Sequence, residues 1–204
     1  MSRPNEPLVP TGYQTIGPFF PQTFFREGDN DLTRVSAEVA PSTRGERIVI
    51  RGRMLEQGGG PCVNAVLEAW QADAGGRFRH PADPEWQQAD PDFLGWGRSW
   101  TDRDGGYEFR TIIPGGYRDP TGPRAPHVNF SIIASGIMRR LVTTLFFPEF
   151  VDANAADPVL GAVPEALRPL IIAVPDGEVD GVRAYRFDLL LHGDEASETP
   201  FFAD

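Results

Sequence analysis

Apolar residues recur at every second position in a series of short runs, and each run stops near a glycine, proline or aspartate. The run 47–55 (RIVIRGRML) ends before Gly58-Gly59-Gly60-Pro61. The run 63–71 alternates again, and 106–112 follows Asp104-Gly105, a hairpin-type turn signal. Runs at 127–134 and 141–147 flank Ser135-Gly136, and runs at 170–174 and 182–191 flank Asp180-Gly181. Successive side chains of a strand point to opposite faces, so this two-residue period marks strands with one buried face. The chain carries 22 glycines and 20 prolines, a density of turn formers that leaves no room for long helices. Evenly spaced strands of this kind predict an all-β sandwich. Residues 158–167 are predicted to hold a short helix, and the polar stretch 25–44 to wrap the surface. The expected layout is one domain over 1–204. An extended N-terminal arm and wrapping segment would fill 1–45, and a sandwich core of mixed-topology sheets with long surface loops would fill 46–204.

Charge and residue usage exclude several classes of function. The formal net charge is −10, which argues against nucleic acid and anionic membranes as partners. Every basic side chain is arginine, so Schiff-base and lysine-nucleophile chemistry are out of reach. Cys62 is the single cysteine, which rules out an intrachain disulfide and a cysteine-based zinc site. The first residues, MSRPNEPLVP, lack the apolar run of a signal peptide, and no stretch is apolar for the roughly 18 residues of a membrane span. The expectation is a cytoplasmic protein.

Residues 114–130 read PGGYRDPTGPRAPHVNF and carry the strongest hint of chemistry. Tyr117, Arg124 and His127 gather around a turn and the start of an apolar strand. Residues two apart on a strand share a face, so His127 and Asn129 point the same way. A His-x-His pair there would aim two imidazoles at one metal. Asn129 offers only a neutral amide, a weak ligand for a transition metal.

This segment, with LVTTLFFPEF (141–150) after it, resembles the core of the intradiol aromatic-ring dioxygenases. The likeness extends through LEAWQADAGGRFRH (67–80), DPDFLGWGR (90–98) and TDRDGGYEFRTIIPG (101–115), and to TGYQTIGPFFP (11–21) and YRFDLLLHG (185–193). Nearly the whole chain is covered, with the motifs in order. Family members hold non-haem ferric iron with two tyrosines and two histidines. By resemblance, Tyr117 falls at the second tyrosine and His127 at the first histidine, while Asn129 replaces the second histidine. The first tyrosine is missing from PADPEWQQA (81–89), where Glu85 or Trp86 stands instead. Arg124 matches the arginine that lies beside the substrate. The likeness is to the non-catalytic chain of the two-chain members. It implies that this chain binds no metal and supplies no catalytic residue, and that Fe(III) sits in a homologous beta chain within a hetero-oligomer.

Thr15, Gly17 and Pro18 match a segment that, in such chains, lines the partner's active site. Glycine permits close backbone approach, proline stiffens the turn, and the threonine hydroxyl can bond a substrate carboxylate. The implied reaction is O2-dependent opening of protocatechuate (3,4-dihydroxybenzoate) between its hydroxyl-bearing carbons. Its product would be 3-carboxy-cis,cis-muconate, on the β-ketoadipate route of aromatic catabolism.

Two other readings remain open. One is a self-sufficient homomeric catechol-type dioxygenase with atypical ligands, which the loss of both a tyrosine and a histidine opposes. The other is a β-sandwich binding or scaffold module, which the N-terminal arm opposes. A hydrolase finds no support, since G-x-S-x-G is absent. Residue by residue, plainer roles compete with the functional ones. His127 reads as a hydrogen-bonded core histidine and Tyr117 as a buried or interface tyrosine. His80 and His192 read as solvated, and Trp70, Trp96 and Trp100 as packing the sandwich or a subunit interface. The pairs Asp102/Asp104 and Asp152/Asp157 read as turn formers.

Overall fold

Strand β1 (Arg47–Leu55) organises the first of two sheets. It pairs antiparallel with β4 (Gly106–Ile112) on one side. On the other it pairs in parallel with β10 (Val182–Arg186), then with β11 (Leu189–Leu190), while β9 (Val174–Val179) extends the sheet beyond β10. The second sheet is wholly antiparallel, in the order β3 (Trp96–Trp100), β2 (Val66–Trp70), β7 (His127–Ile133), β8 (Leu141–Phe146). The computed structural model describes residues 25–36, 38–137, 139–194 and 196–202.

The sheets face each other across one apolar core. Ile48, Ile50, Met54, Tyr107 and Phe109 come from the first sheet, and Leu67, Val128, Phe130, Ile132 and Leu145 from the second. These are alternate residues of their strands, as the two-residue period requires. Gly52 sits where a Cβ would lie 1.8 Å from the carbonyl oxygen of Phe187. Its absence lets that carbonyl reach the buried Tyr107 hydroxyl, which donates to it. The all-β sandwich expected from the sequence is what forms.

Sheet edges are mostly covered. Asp29 accepts the Arg98 N–H along β3, and Asp31 bridges to Arg110 of β4, so one segment laces both sheets. The β8 edge meets Phe202 and Ile172. Among the described residues none pairs with the outer edge of β9, which carries Pro175, Asp176 and Glu178, residues that discourage pairing with another chain.

Several details differ from the sequence expectations. The wrapping segment is not polar throughout, because Leu32 is fully buried in the core. The expected strand 170–174 is instead the end of a 3-10 helix (Glu165–Ile171), and β9 starts at Val174. The run 182–191 splits at Phe187, whose N–H bonds to Arg51 as β1 changes partner. The helix expected at 158–167 divides into α2 (Pro158–Ala162) and the 3-10 helix, with Pro164 capping the second piece. Strand β3, helix α1 (Val151–Ala156) and the hairpin of β5 (Tyr117–Asp119) with β6 (Gly122–Arg124) were not anticipated. No described helix is long and apolar enough to cross a membrane.

Candidate functional site

The outward face of the second sheet carries the site. Opposite Trp70 on β2 stand Trp96 of β3 and Asn129 of β7, and opposite Asn129 stands Thr144 of β8. Loops rise beside this row to form an open cleft of about 1240 Å3, lined among others by Trp70, Phe78, His80, Glu85, Tyr117 and Asn129. The loop 73–77 presses on residues 114–116 with almost no side chain between them. A Cβ on Gly76, whose φ is +78°, would lie 2.2 Å from the Gly116 carbonyl oxygen. The glycines of the PGGY motif therefore serve backbone contact, and they bring Phe78 against Tyr117.

Rings run in a chain through the cleft wall. His80 lies 5.6 Å from Trp70, Trp70 6.2 Å from Phe78, and Phe78 stands edge-on to Tyr117 at 5.1 Å. Tyr117, His127 and Phe146 continue it at 5.5 and 5.7 Å. Trp70 is 44% exposed and lines the cleft, so of the two roles expected for it, packing the sandwich or a subunit interface, the first does not hold. Sequence reasoning also set His80 aside as solvated. It is exposed, yet it forms part of this wall. The available signal was phase: Leu67 and Ala69 point inward, so Trp70 must point out.

The residues singled out in the sequence meet here, but their polar atoms are committed to the protein. His127 is 2% exposed, and its Nδ1–H donates to the Ala125 carbonyl at 2.6 Å. That fixes the tautomer and leaves Nε2 as an acceptor, 3.4 Å from the Tyr117 hydroxyl. Burial pushes the imidazole pKa down to about 4, partly opposed by the Ala125 bond and aided by Arg124, so the ring is neutral. Burial also raises the Tyr117 phenol above its ordinary value, keeping it protonated. Asn129 Oδ1 accepts the Thr144 hydroxyl at 2.9 Å. Glu85 is exposed on the cleft rim, its carboxylate 3.2 Å from Arg77 Nε. Trp86, beside it, is also exposed.

Arg124 is clamped rather than aimed into the cleft. Its Nε lies 3.1 Å from Asp157 and its Nη1 3.1 Å from Asp119, with the guanidinium 5.8 Å from the Tyr117 ring centre. Asp157 is no surface turn former. It is buried, caps α2 through Val159 N–H and Leu160 N–H, and also accepts Ala125 N–H. One carboxylate thus fastens α2, the hairpin and the start of β7 together. Asp102 does act as a turn former, accepting the N–H groups of Asp104 and Gly106. Cys62 is buried, with its thiol pushed up to about 11, and offers no reactive thiolate. Thr15, Gly17 and Pro18 lie outside the described residues.

A family model described as "Dioxygenase" matches residues 16–193. The chain belongs to the intradiol dioxygenase family. Over 95% of its length it is 35% identical to the protocatechuate 3,4-dioxygenase beta chain of Burkholderia cepacia, covering 86% of that protein. It is 34% identical to the protocatechuate 3,4-dioxygenase alpha chain of Pseudomonas putida, over 98% of both chains. Among solved structures, it matches the dioxygenase domain of a dioxygenase–carbohydrate-binding fusion from Streptomyces sp. SirexAA-E. There the TM-score is 0.55 and the identity 25%, across 94% of this chain and 100% of that one.

Intradiol dioxygenases normally use ferric iron. The donor set in this member does not fit that ion. Ferric iron favours anionic oxygen donors. Here Tyr117 is the one tyrosine among the described cleft-lining residues, the Asn129 amide oxygen is neutral and taken by Thr144, and the Glu85 carboxylate pairs with Arg77. Among the described residues, no group of three or more His, Cys, Asp or Glu side chains is placed to hold a metal.

Proposed function

We propose that this chain is the metal-free subunit of a protocatechuate 3,4-dioxygenase, paired with a homologous beta chain that carries Fe(III). In this reading residues 15–18 line the partner's pocket, and the assembly opens 3,4-dihydroxybenzoate with O2 to 3-carboxy-cis,cis-muconate. Similarity alone does not choose between the two chain types, since identity to an alpha and a beta relative is 34% and 35%. Equal coverage of both chains, at 98%, favours the alpha type. The observation that carries the reading is the spending of the ligand-position atoms on protein neighbours: His127 Nε2 faces Tyr117, and Asn129 Oδ1 faces Thr144. A neutral amide does not shed a proton to become an anionic ligand, so position 129 cannot supply the charge that a ferric ion favours.

The test is iron content and protocatechuate-dependent O2 uptake, measured on this chain alone and on this chain coexpressed with its partner. Iron-free, inactive protein alone and an iron-bearing, active complex are expected. Stoichiometric iron with turnover from this chain alone would establish a self-sufficient enzyme instead. Failure of any homologous partner to copurify would favour a scaffold module.

A further inference from the structure

Beside the cleft, the β3 edge of the same outward face holds a cluster of rings around one cation. Trp96, Arg98 and Trp100 share the outward phase of β3. The Arg98 guanidinium lies 4.8 Å from the Trp96 ring centre and 5.9 Å from that of Phe25. Phe25 in turn stands edge-on to Trp100 at 5.1 Å, with planes at 80°. Glu68, across on β2, approaches Arg98 at 3.6 Å. Arg98 Nε is buried without a hydrogen-bond partner among the described residues, so its hydrogen bonding does not explain its place. The ring faces do, because a planar guanidinium stacks on aromatics where an ammonium does not.

This cluster lies at Phe25, the residue that follows the segment 1–24 in the chain. From Phe25 onward the chain is fastened repeatedly: the Asp29 carbonyl takes Arg98 N–H at 2.8 Å, and Leu32 plugs the core. We infer that Arg98 is a positioning residue. Together with Trp96 and Trp100 it seats Phe25, and so holds the root of the segment that, in the function proposed above, lines the neighbouring active site. The catalytic consequence rests on the function proposed above; the seat itself does not. A segment anchored at its root presents its tip at a higher effective concentration than one that swings freely. Loosening the root therefore weakens substrate binding more than it slows turnover.

The sequence supplies a clean probe. The chain has no lysine, and Arg3 precedes Pro4, a bond trypsin does not cut. The bond after Arg26 is thus the only tryptic site before Arg34. In the coexpressed complex, Arg98→Ala is expected to speed cleavage after Arg26 about tenfold, the scale of two lost ring contacts. KM for 3,4-dihydroxybenzoate should rise by a similar factor, with kcat, iron content and assembly size unchanged. Arg98→Lys, which keeps charge but not the planar stack, should recover only a small part. Phe25→Ala lies outside both sheets and should reproduce the effect if Arg98→Ala folds poorly. Each variant's rate is referred to that of its unfolded chain. Unchanged cleavage in both alanine variants would overturn the seat. Faster cleavage with unchanged KM would overturn the positioning role. A wild-type complex lacking iron or turnover would overturn the functional reading, while the cleavage comparison would still decide the seat.

Discussion

The two faces of β7 make opposite demands on the residues that occupy them. Val128, Phe130 and Ile132 point inward and are fully buried, and the Phe130 ring meets those of Tyr107, Phe109 and Phe187. His127, Asn129 and Ser131 point outward toward the cleft and the loops over it. Inward residues are held by packing on all sides, which tolerates little change in volume. Of the outward ones, His127 donates to the Ala125 carbonyl and faces Tyr117, and Asn129 accepts from Thr144, polar contacts that another polar residue can replace. Residues packed into the core thus alternate along one strand with residues that make polar contacts on the outer face.

The sharpest way to break this contrast is Phe130→Ala, expected to cost about 3–5 kcal/mol in denaturant unfolding. A loss below about 1 kcal/mol, the scale of a surface change, would mean the inward face is not the fold's determinant.

His127 should sit between the extremes, because it is outward-facing yet buried. Its folded pKa is about 4, below the ordinary 6.5, so the unfolded chain takes up a proton first as pH falls. The neutral imidazole's contribution is complete above pH 6.5 and is lost as pH falls to 4, by roughly 3 kcal/mol. The stability advantage of wild type over His127→Gln should shrink by that amount between pH 7 and pH 4. A constant difference would place the ring in a hydrated setting.

The smallest effect is expected from Asn129→His, a change in unfolding free energy of about 1 kcal/mol or less. Metal analysis of that variant should still find no stoichiometric iron. Iron uptake from this single change would show that Tyr117 and His127 are far readier to ligate than their hydrogen bonds suggest.

What could be read in the sequence follows from the same contrast. Strands β1, β4 and β7 were legible because apolar inward residues recur at alternate positions through most of their length. β3 (WGRSW) was not, since its inward positions are Gly97 and Ser99, which give no apolar period. The break in 182–191 comes from β1 exchanging one neighbour for another at Gly52, a tertiary event with no local mark. Tyr117, His127 and Asn129 were placed together by motif; Tyr117 and Asn129 line one cleft, and His127 is buried against Tyr117. The clamp on Arg124 was not readable, because Asp157 lies 33 residues away and its burial depends on α2 docking. Nor was the cleft wall of Trp70, Phe78 and His80, since exposed aromatics and packed ones look alike in a string of letters.

Strand β1 is nearly the first element of the sandwich to be made and the last to be complete. Its N–H at Arg53 bonds to Asp188, 135 residues further on. During synthesis at about 5–20 residues per second, β1 can therefore find β4 early but must wait several seconds or more for β10 and β11. In that interval its second edge is unpaired, apolar and able to recruit another nascent chain. Pairings this distant in sequence also slow the search for the native topology. Yield of folded protein should consequently depend on expression rate and temperature more than its final stability would suggest.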